Sequence, residues 1–177
     1  RMAAEGAAAR LGHILDHSFN EIYLFDADSL RFVQVNQGAQ RNLGYSMEEL
    51  RDMTPVDIKA DFDHAQFADL IAPLRDGAED QVVLETAHRR KDGPIYPVEA
   101  RLQLSRSGAR PVFVAIVQDI TARRQSEEAL RESEQRYRNL IEDSALGVIV
   151  HRAGRVLFAN RAVSRSLGHD SPAYLLA

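Results

Sequence analysis

With 177 residues, 45% of them hydrophobic and 27% charged, and a formal net charge of −4, the chain has the make-up of a globular protein with one core or slightly more. Its acidic balance gives no basic surface for nucleic acid or anionic lipid, and the absence of cysteine excludes disulfides, thiolate metal sites and cysteine nucleophiles. No apolar run approaches the ~20 residues of a membrane span, and the Ala-rich start is short and broken by Glu5, unlike a signal peptide, so a cytoplasmic setting without membrane contact is expected.

Ala4, Ala8, Leu11, Leu15 and Ser18 recur in alternating steps of four and three, a narrow helical seam suited to a partner helix, so residues 1–18 are assigned to an N-terminal flanking helix. A strand from Glu21 to Phe25, the turn Asp26-Ala27-Asp28-Ser29 and a strand from Arg31 to Val35 read as a hairpin. Small and polar residues from Asn36 to Asn42 suggest a short helix closed by Gly44, and Ser46 with Glu49 has capping-box spacing for the next one. Asp61 or Asp63 can cap a further helix carrying Phe67, Leu70, Ile71 and Leu74, which Asp76-Gly77 ends. Two strands, Gln81 to Arg89 and Ile95 to Leu104, flank the turn Lys91-Asp92-Gly93, and a last one runs from Pro111 to Asp119. This order predicts an α+β fold with an antiparallel sheet.

The patterns also rank the strands. Tyr96, Val98, Ala100, Leu102 and Leu104 alternate with polar residues or proline, so the fourth strand has one buried and one wet face. The first and fifth strands (Ile22 to Phe25, Val112 to Val117) are apolar on both faces and are expected to be central, with the sheet's second face covered by the N-terminal helix or by a partner subunit. From Ala122 to Asp143 a charged helix carries Ser126, Leu130, Ser133, Tyr137, Leu140 and Ser144 at four-three spacing, with Glu127/Arg131, Glu132/Arg136 and Glu134/Arg138 as i,i+4 pairs. It reads as a solvated single helix or as one strand of a dimeric coiled coil, and the seam favours the dimer.

The end of the chain repeats its beginning. Leu15-Asp16-His17-Ser18 matches Ile141-Glu142-Asp143-Ser144, Ile22 and Leu24 match Val148 and Val150, and Asn36, Leu43 and Gly44 match Asn160, Leu167 and Gly168. The offset is 126 residues before the hairpin turn and 124 after it, so only the turn has shortened. Residues 146–177 therefore read as the opening of a second copy, cut off before its later strands, whose Val148, Val150, Leu157 and Phe158 need cover.

These residues resemble the PAS family. The strand–turn–strand followed by Asn36, then Asn42-Leu43-Gly44-Tyr45-Ser46 and Glu48-Glu49-Leu50, is similar to the PAS opening; His88-Arg89-Arg90-Lys91-Asp92-Gly93 leading into Tyr96-Pro97-Val98 is similar to the hairpin of its second half; Gln118-Asp119-Ile120-Thr121 is similar to the Asp-Ile-Thr motif where the last strand meets a signalling helix. The resemblance implies a five-stranded antiparallel sheet in the order 2-1-5-4-3 with short helices on one face. It divides the chain into a PAS domain at 19–121, a signalling helix at 122–145 and the truncated start of a second PAS domain at 146–177.

Asn36 and Asn160 directly follow a strand, where a short amide bonds local backbone. Thr121 is a candidate N-cap, and by the resemblance Asp119 and Thr121 also transmit signal. The candidate pocket lining is apolar: Leu24, Leu43, Phe62, Phe67, Ile71, Val83, Leu102 and Ile116. His64, 29 residues before Gly93, is the candidate haem ligand by resemblance to haem-binding oxygen-sensing PAS domains, but Leu84 stands where those sensors place an arginine, and an exposed histidine is the simpler reading. Flavin adduct chemistry of the light-oxygen-voltage type needs a cysteine, and the chain has none. A redox flavin has no positive signal. His13 and His17 have metal-compatible spacing without a third ligand, and Asp57, Asp61 and Asp63 suit helix capping better than acid/base chemistry. No nucleotide-binding, hydrolase or metalloprotease motif occurs.

The expected function is sensing and relay by a non-catalytic, homodimeric module that passes a change through Leu130, Tyr137 and Leu140 to an output domain in the same parent chain. The resemblance implies a parent that is a histidine kinase of a two-component system or a cyclic-di-GMP enzyme. The alternatives are a haem- or small-ligand sensor using His64, a small enzyme with its pocket between helices and sheet, and a purely structural dimerisation domain.

Overall fold

The computed structural model describes residue 16 and residues 18–168; the N-terminal seam up to Leu15 and the His13/His17 pair lie outside the described residues. The elements are β1 (Glu21–Asp26), β2 (Phe32–Val35), α1 (Gln37–Leu43), α2 (Met47–Leu50), α3 (Pro55–Ile58), α4 (His64–Asp76), β3 (Val82–Arg89), β4 (Ile95–Ser105), β5 (Val112–Asp119), α5 (Thr121–Glu142), β6 (Ile149–Arg152), β7 (Arg155–Ala159) and α6 (Arg161–Ser166). They fall into two compact units, residues 1–122 and 123–177.

The first unit is an α+β fold whose five strands pair antiparallel in the order β2-β1-β5-β4-β3. The two strands with apolar residues on both faces, β1 and β5, lie together inside the sheet, where both of their edges find partners. Strand alternation sends Tyr23 and Phe25, then Phe113, Ala115 and Val117, then Tyr96, Val98, Ala100 and Leu102 into one core with Leu43, Leu50, Ile58, Phe67, Ile71 and Leu74. At its centre the rings of Phe25 and Phe113 stack with centroids 5.2 Å apart. The opposite face carries Ile22, Leu24, Val112, Val114 and Ile116, with Ile116 43% and Val83 52% exposed.

Four short helices cannot hold themselves by propensity alone, and each is capped. Asn36 Oδ1 accepts from Ala39 N–H at 3.1 Å, Ser46 and Glu49 close a reciprocal box, Asp57 accepts from Thr54 N–H at 2.6 Å, and Asp63 with Gln66 closes a second box. Asp61 accepts from the Thr86 hydroxyl at 2.6 Å. Asp57 and Asp63 thus serve helix caps, as expected, whereas Asp61 ties its loop to the side chain of Thr86 on β3. Gly44 closes α1 at φ 82°, a conformation a β-carbon disfavours. At the far end of the sheet, Pro97 of β4 accepts from Ile120 N–H at 3.0 Å, one residue beyond the last β4–β5 pair, Val98 with Asp119.

Among the described residues, the second unit repeats the bonds that open the first, with one from Asn160 to Ile141 O besides. Asn36 Oδ1 accepts from Ile22 N–H at 2.9 Å while its Nδ2 donates to Asn20 O at 3.0 Å. Asn160, fully buried, accepts from Val148 N–H at 2.9 Å and donates to Ile141 O and Leu146 O at 2.7 and 2.8 Å. Ser18 and Ser144 each accept from the N–H two residues on, and Asp16 and Glu142 each accept from the N–H after the buried asparagine. The shortened turn is Ala153-Gly154, both at positive φ, the geometry of a two-residue hairpin. Val150 and Leu157 of this hairpin are each 49% exposed among the described residues.

Asn36 therefore joins β1, β2 and α1 through one amide. Asn36→Ala leaves two backbone N–H groups and a carbonyl without their partner and is expected to cost ~2–3 kcal/mol. Urea unfolding would show this as a lower midpoint at unchanged slope; a loss below ~1 kcal/mol would mean that water replaces the amide.

Candidate functional site

Between helices and sheet the core leaves a cavity of about 20 Å³. Its walls are the rings of Tyr23, Phe25, Phe32 and Phe67 with Leu102 and Val117, and Lys59 and His88 also line it. A space of this size holds about one water, whereas small-molecule sites run to about 300–1,000 Å³.

Of the eight candidate lining residues, Phe67 and Leu102 line the cavity. Leu43 and Ile71 are fully buried in the same core without reaching it, and Phe62 is half-buried with the Lys59 ammonium 5.1 Å from its ring centroid. Leu24, Val83 and Ile116 sit on the opposite face of the sheet. The pairing explains this. Ile116 lies across from Arg101 and Leu24 across from Val114, which in turn faces Gln103; both β4 partners belong to its wet face. Cross-strand neighbours share a face, so β4's alternation marks Ala115 and Val117 as the inward residues. Lys59, His88 and Tyr23 do not stand out in the sequence as lining residues because each carries a polar group, and the fold brings them together from the residue after α3, from β3 and from β1.

His64 is the first residue of α4; its side chain is exposed and outside the cavity lining. The residues present therefore do not fit haem on His64, and a cavity of this size does not fit a flavin. Among the described residues no group of three His, Cys, Asp or Glu side chains could hold a metal ion.

Beside the cavity lies a polar cluster that composition concealed. Glu21, 4% exposed, accepts hydrogen bonds from the Tyr23 hydroxyl and Asn42 Nδ2, and the Tyr96 hydroxyl lies 3.1 and 3.2 Å from its two oxygens. His88 Nδ1 has no hydrogen-bond partner and stands 3.9 Å from Glu21 Oε2. Burial pushes the imidazole below its ordinary pKa, against the pull of Glu21, and raises both tyrosine hydroxyls, with the Glu21 charge adding to the effect. Lys59 is brought down to about 8 by burial, which Asp61 opposes.

Asp119 and Thr121 do meet. Asp119 Oδ1 accepts from Thr121 N–H at 2.8 Å, and Oδ2 lies 3.7 Å from Arg90. The Thr121 hydroxyl is buried without a partner, so the side chain holding this turn is the aspartate rather than the threonine. Along α5, Leu130, Tyr137 and Leu140 are 61%, 66% and 64% exposed. Arg131 pairs with Glu128 at 3.7 Å, one residue along from the expected Glu127.

Comparison with known proteins gives two matches to the PAS domain family, over residues 20–122 and 135–176. A methyl sulfide methyltransferase-associated sensor of Methanosarcina acetivorans is 26% identical over 122 residues; the match takes in 69% of this chain and 12% of that protein, so the chain spans a small part of its relative. The PAS domain of an HTR-like protein from Haloarcula marismortui superposes with a TM-score of 0.61 at 25% identity over 67% of this chain and 96% of that one. A PAS domain from a two-component sensor histidine kinase gives 0.55 at 22% identity over 66% and 98%.

The sign of the Lys59 shift fixes a pH dependence. Between about 8 and the ~10.4 of an exposed lysine the unfolded chain binds the proton and the folded one does not, so stability rises with pH there and the full penalty stands below it. Lys59→Met should stabilise the protein at pH 7 by ~2–4 kcal/mol, with the gain shrinking by pH 10. Urea midpoints at the two pH values check this; a gain equal at both would put its cause in packing. His88 adds a loss of stability of the same sign as pH falls below its unfolded value of ~6.5.

Proposed function

Because the chain belongs to the PAS domain family, we propose that it is a sensory and relay module of a larger signalling protein, non-catalytic itself and acting as a parallel homodimer through α5. The observation that carries the reading is the seam of α5: Leu130, Tyr137 and Leu140 are exposed at four-three spacing on a helix that buries none of its residues within the chain. A helix that served only as a solvated strut would have no use for such a stripe, whereas a partner helix packs on it. A relay also needs an element with a partner contact to shift, by rotation or by register.

Kinship to a protein named as a sensor supports a parent in signal transduction, and the parent types we favour are a histidine kinase or a cyclic-di-GMP enzyme. The small cavity supports a dimerising spacer over a ligand sensor, and leaves a substrate no room beside Lys59 and His88. No helix among the described residues is long and apolar enough to cross a membrane, and a cytoplasmic module is the setting we propose.

Two measurements test this. Burying one leucine is worth ~1.5–3 kcal/mol and an exposed ion pair ~0.2–0.5, so Leu130→Asp should weaken the dimer far more than Glu132→Gln in sedimentation equilibrium at low micromolar concentration. A monomeric wild type, or a dimer indifferent to Leu130→Asp, would remove α5 as the dimer axis. The purified chain should also be colourless; a Soret band that disappears in His64→Ala would make it a haem sensor instead.

A further inference from the structure

A carboxylate survives burial only where donors replace its water, and the donors around Glu21 come from separate parts of the fold: Tyr23 from β1 itself, Asn42 from α1 and Tyr96 from β4. Tyr23 also lines the cavity, as does His88. Asn42 has a second attachment. Its Nδ2 donates to Glu21, while its Oδ1 and its main-chain oxygen both accept from Arg90 Nη1. Arg90 lies 4.2 Å from the centroid of the Tyr96 ring, and its Nη2 is 3.7 Å from Asp119 Oδ2. The other oxygen of Asp119 holds the N–H of Thr121, the first residue of α5. A row of side chains (Tyr23, Glu21, Asn42, Arg90, Asp119) thus runs from the cavity wall to the base of the helix.

We propose that Asn42, clamped between Glu21 and Arg90, is a positioning residue that passes a change at the cavity wall to the Asp119–Thr121 bond at the start of α5. This rests on the relay reading above. The amide suits the task because it is planar and two-faced. Its donor end meets the anion and its acceptor end the cation, so a flipped amide would oppose both neighbours and only one orientation is allowed. Its ends also cannot move independently. A displacement of Glu21 that draws Nδ2 with it carries Oδ1 away from Arg90. The guanidinium, then held on that side by the main-chain oxygen of Asn42 alone, has an available move, because its 3.7 Å separation from Asp119 exceeds the ~2.7–2.9 Å of a charge-assisted hydrogen bond. Closing that gap turns the carboxylate whose other oxygen holds Thr121. A network that only stabilised the core would lack this directional consequence at one amide.

Hydrogen exchange of the Thr121 amide, followed by NMR on the full chain, reads the effect. Tyr23→Phe removes one hydroxyl from Glu21 at the cavity wall with little change of shape. It should speed Thr121 exchange about fivefold, the ratio set by one ordinary net hydrogen bond, beyond any change common to the core amides of Val98 and Ala100. In an Asn42→Ala background the extra acceleration from Tyr23→Phe should vanish. Arg90→Lys, a milder change at a partly exposed side chain, keeps the charge but loses the fork that spans amide and carboxylate, and should abolish it too. An unchanged Thr121 amide in Tyr23→Phe, or the same acceleration in the Asn42 and Arg90 backgrounds, overturns the proposal. Exchange at Thr121 is read within one protomer, so this result is independent of the sedimentation test of the dimer.

Discussion

A side chain on β1 can face the helices only if both of its neighbours face away, and much of this molecule follows from that period of two. Glu21, Tyr23 and Phe25 turn inward; Ile22 and Leu24 turn outward. The pairings of β1 with β5 and of β5 with β4 carry the same choice across the sheet, so the strict alternation of β4 governs strands that do not alternate themselves. A slip of one residue would exchange the two sets entirely. It would put Ile22 and Leu24 into the core and expose both Glu21 and the aromatic rings that fill the cavity wall.

That coupling also explains what could be read before the fold was seen. The hairpins, the central place of β1 and β5, the Ser46–Glu49 cap and the repeat are local or near-local patterns, and they appear where the chain signals them, whereas the full strand order rests on the family resemblance and the choice of Asp63 over Asp61 as cap on the fold. The facing of Leu24 and Ile116 was not legible from their own strands, since an apolar residue in an all-apolar run gives no parity, and it needed the register with β4; Val83, by contrast, shares its parity with Glu85 and Arg89 of β3, which marks it as outward. The polar cluster was less legible still. Residues 21, 42, 88 and 90 are ordinary surface types in the sequence and Tyr96 reads only as part of the apolar face of β4, and the closed sheet brings them together. The candidate cap at Thr121 was off by one partner: the junction is held by a side chain, but by Asp119.

The two copies of the buried asparagine separate what is general in this architecture from what is particular. Asn36 and Asn160 make the same bonds to the same relative positions although the intervening turn differs in length, so the amide knot tolerates variation in the hairpin tip. The second unit forms this knot with only two strands. The carboxylate cluster at Glu21 draws on α1, β3 and β4 of the first unit, and the repeat places Gly147 where Glu21 stands.

Pro97 has a consequence for where the sheet gives way to the helix. In an antiparallel ladder the N–H and C=O of one residue point to the same neighbouring strand. Pro97 takes the N–H of Ile120 on its carbonyl but has no N–H to return. The carbonyl of Ile120 is therefore left without a donor from β4, at the residue just before α5, where an oxygen is needed to accept the first bond of the helix. The boundary is thus written into the opposite strand: a ring closed on a nitrogen in β4 acts as a terminator for β5, and any residue with a backbone proton in its place would let the two strands compete with the helix for the same oxygen.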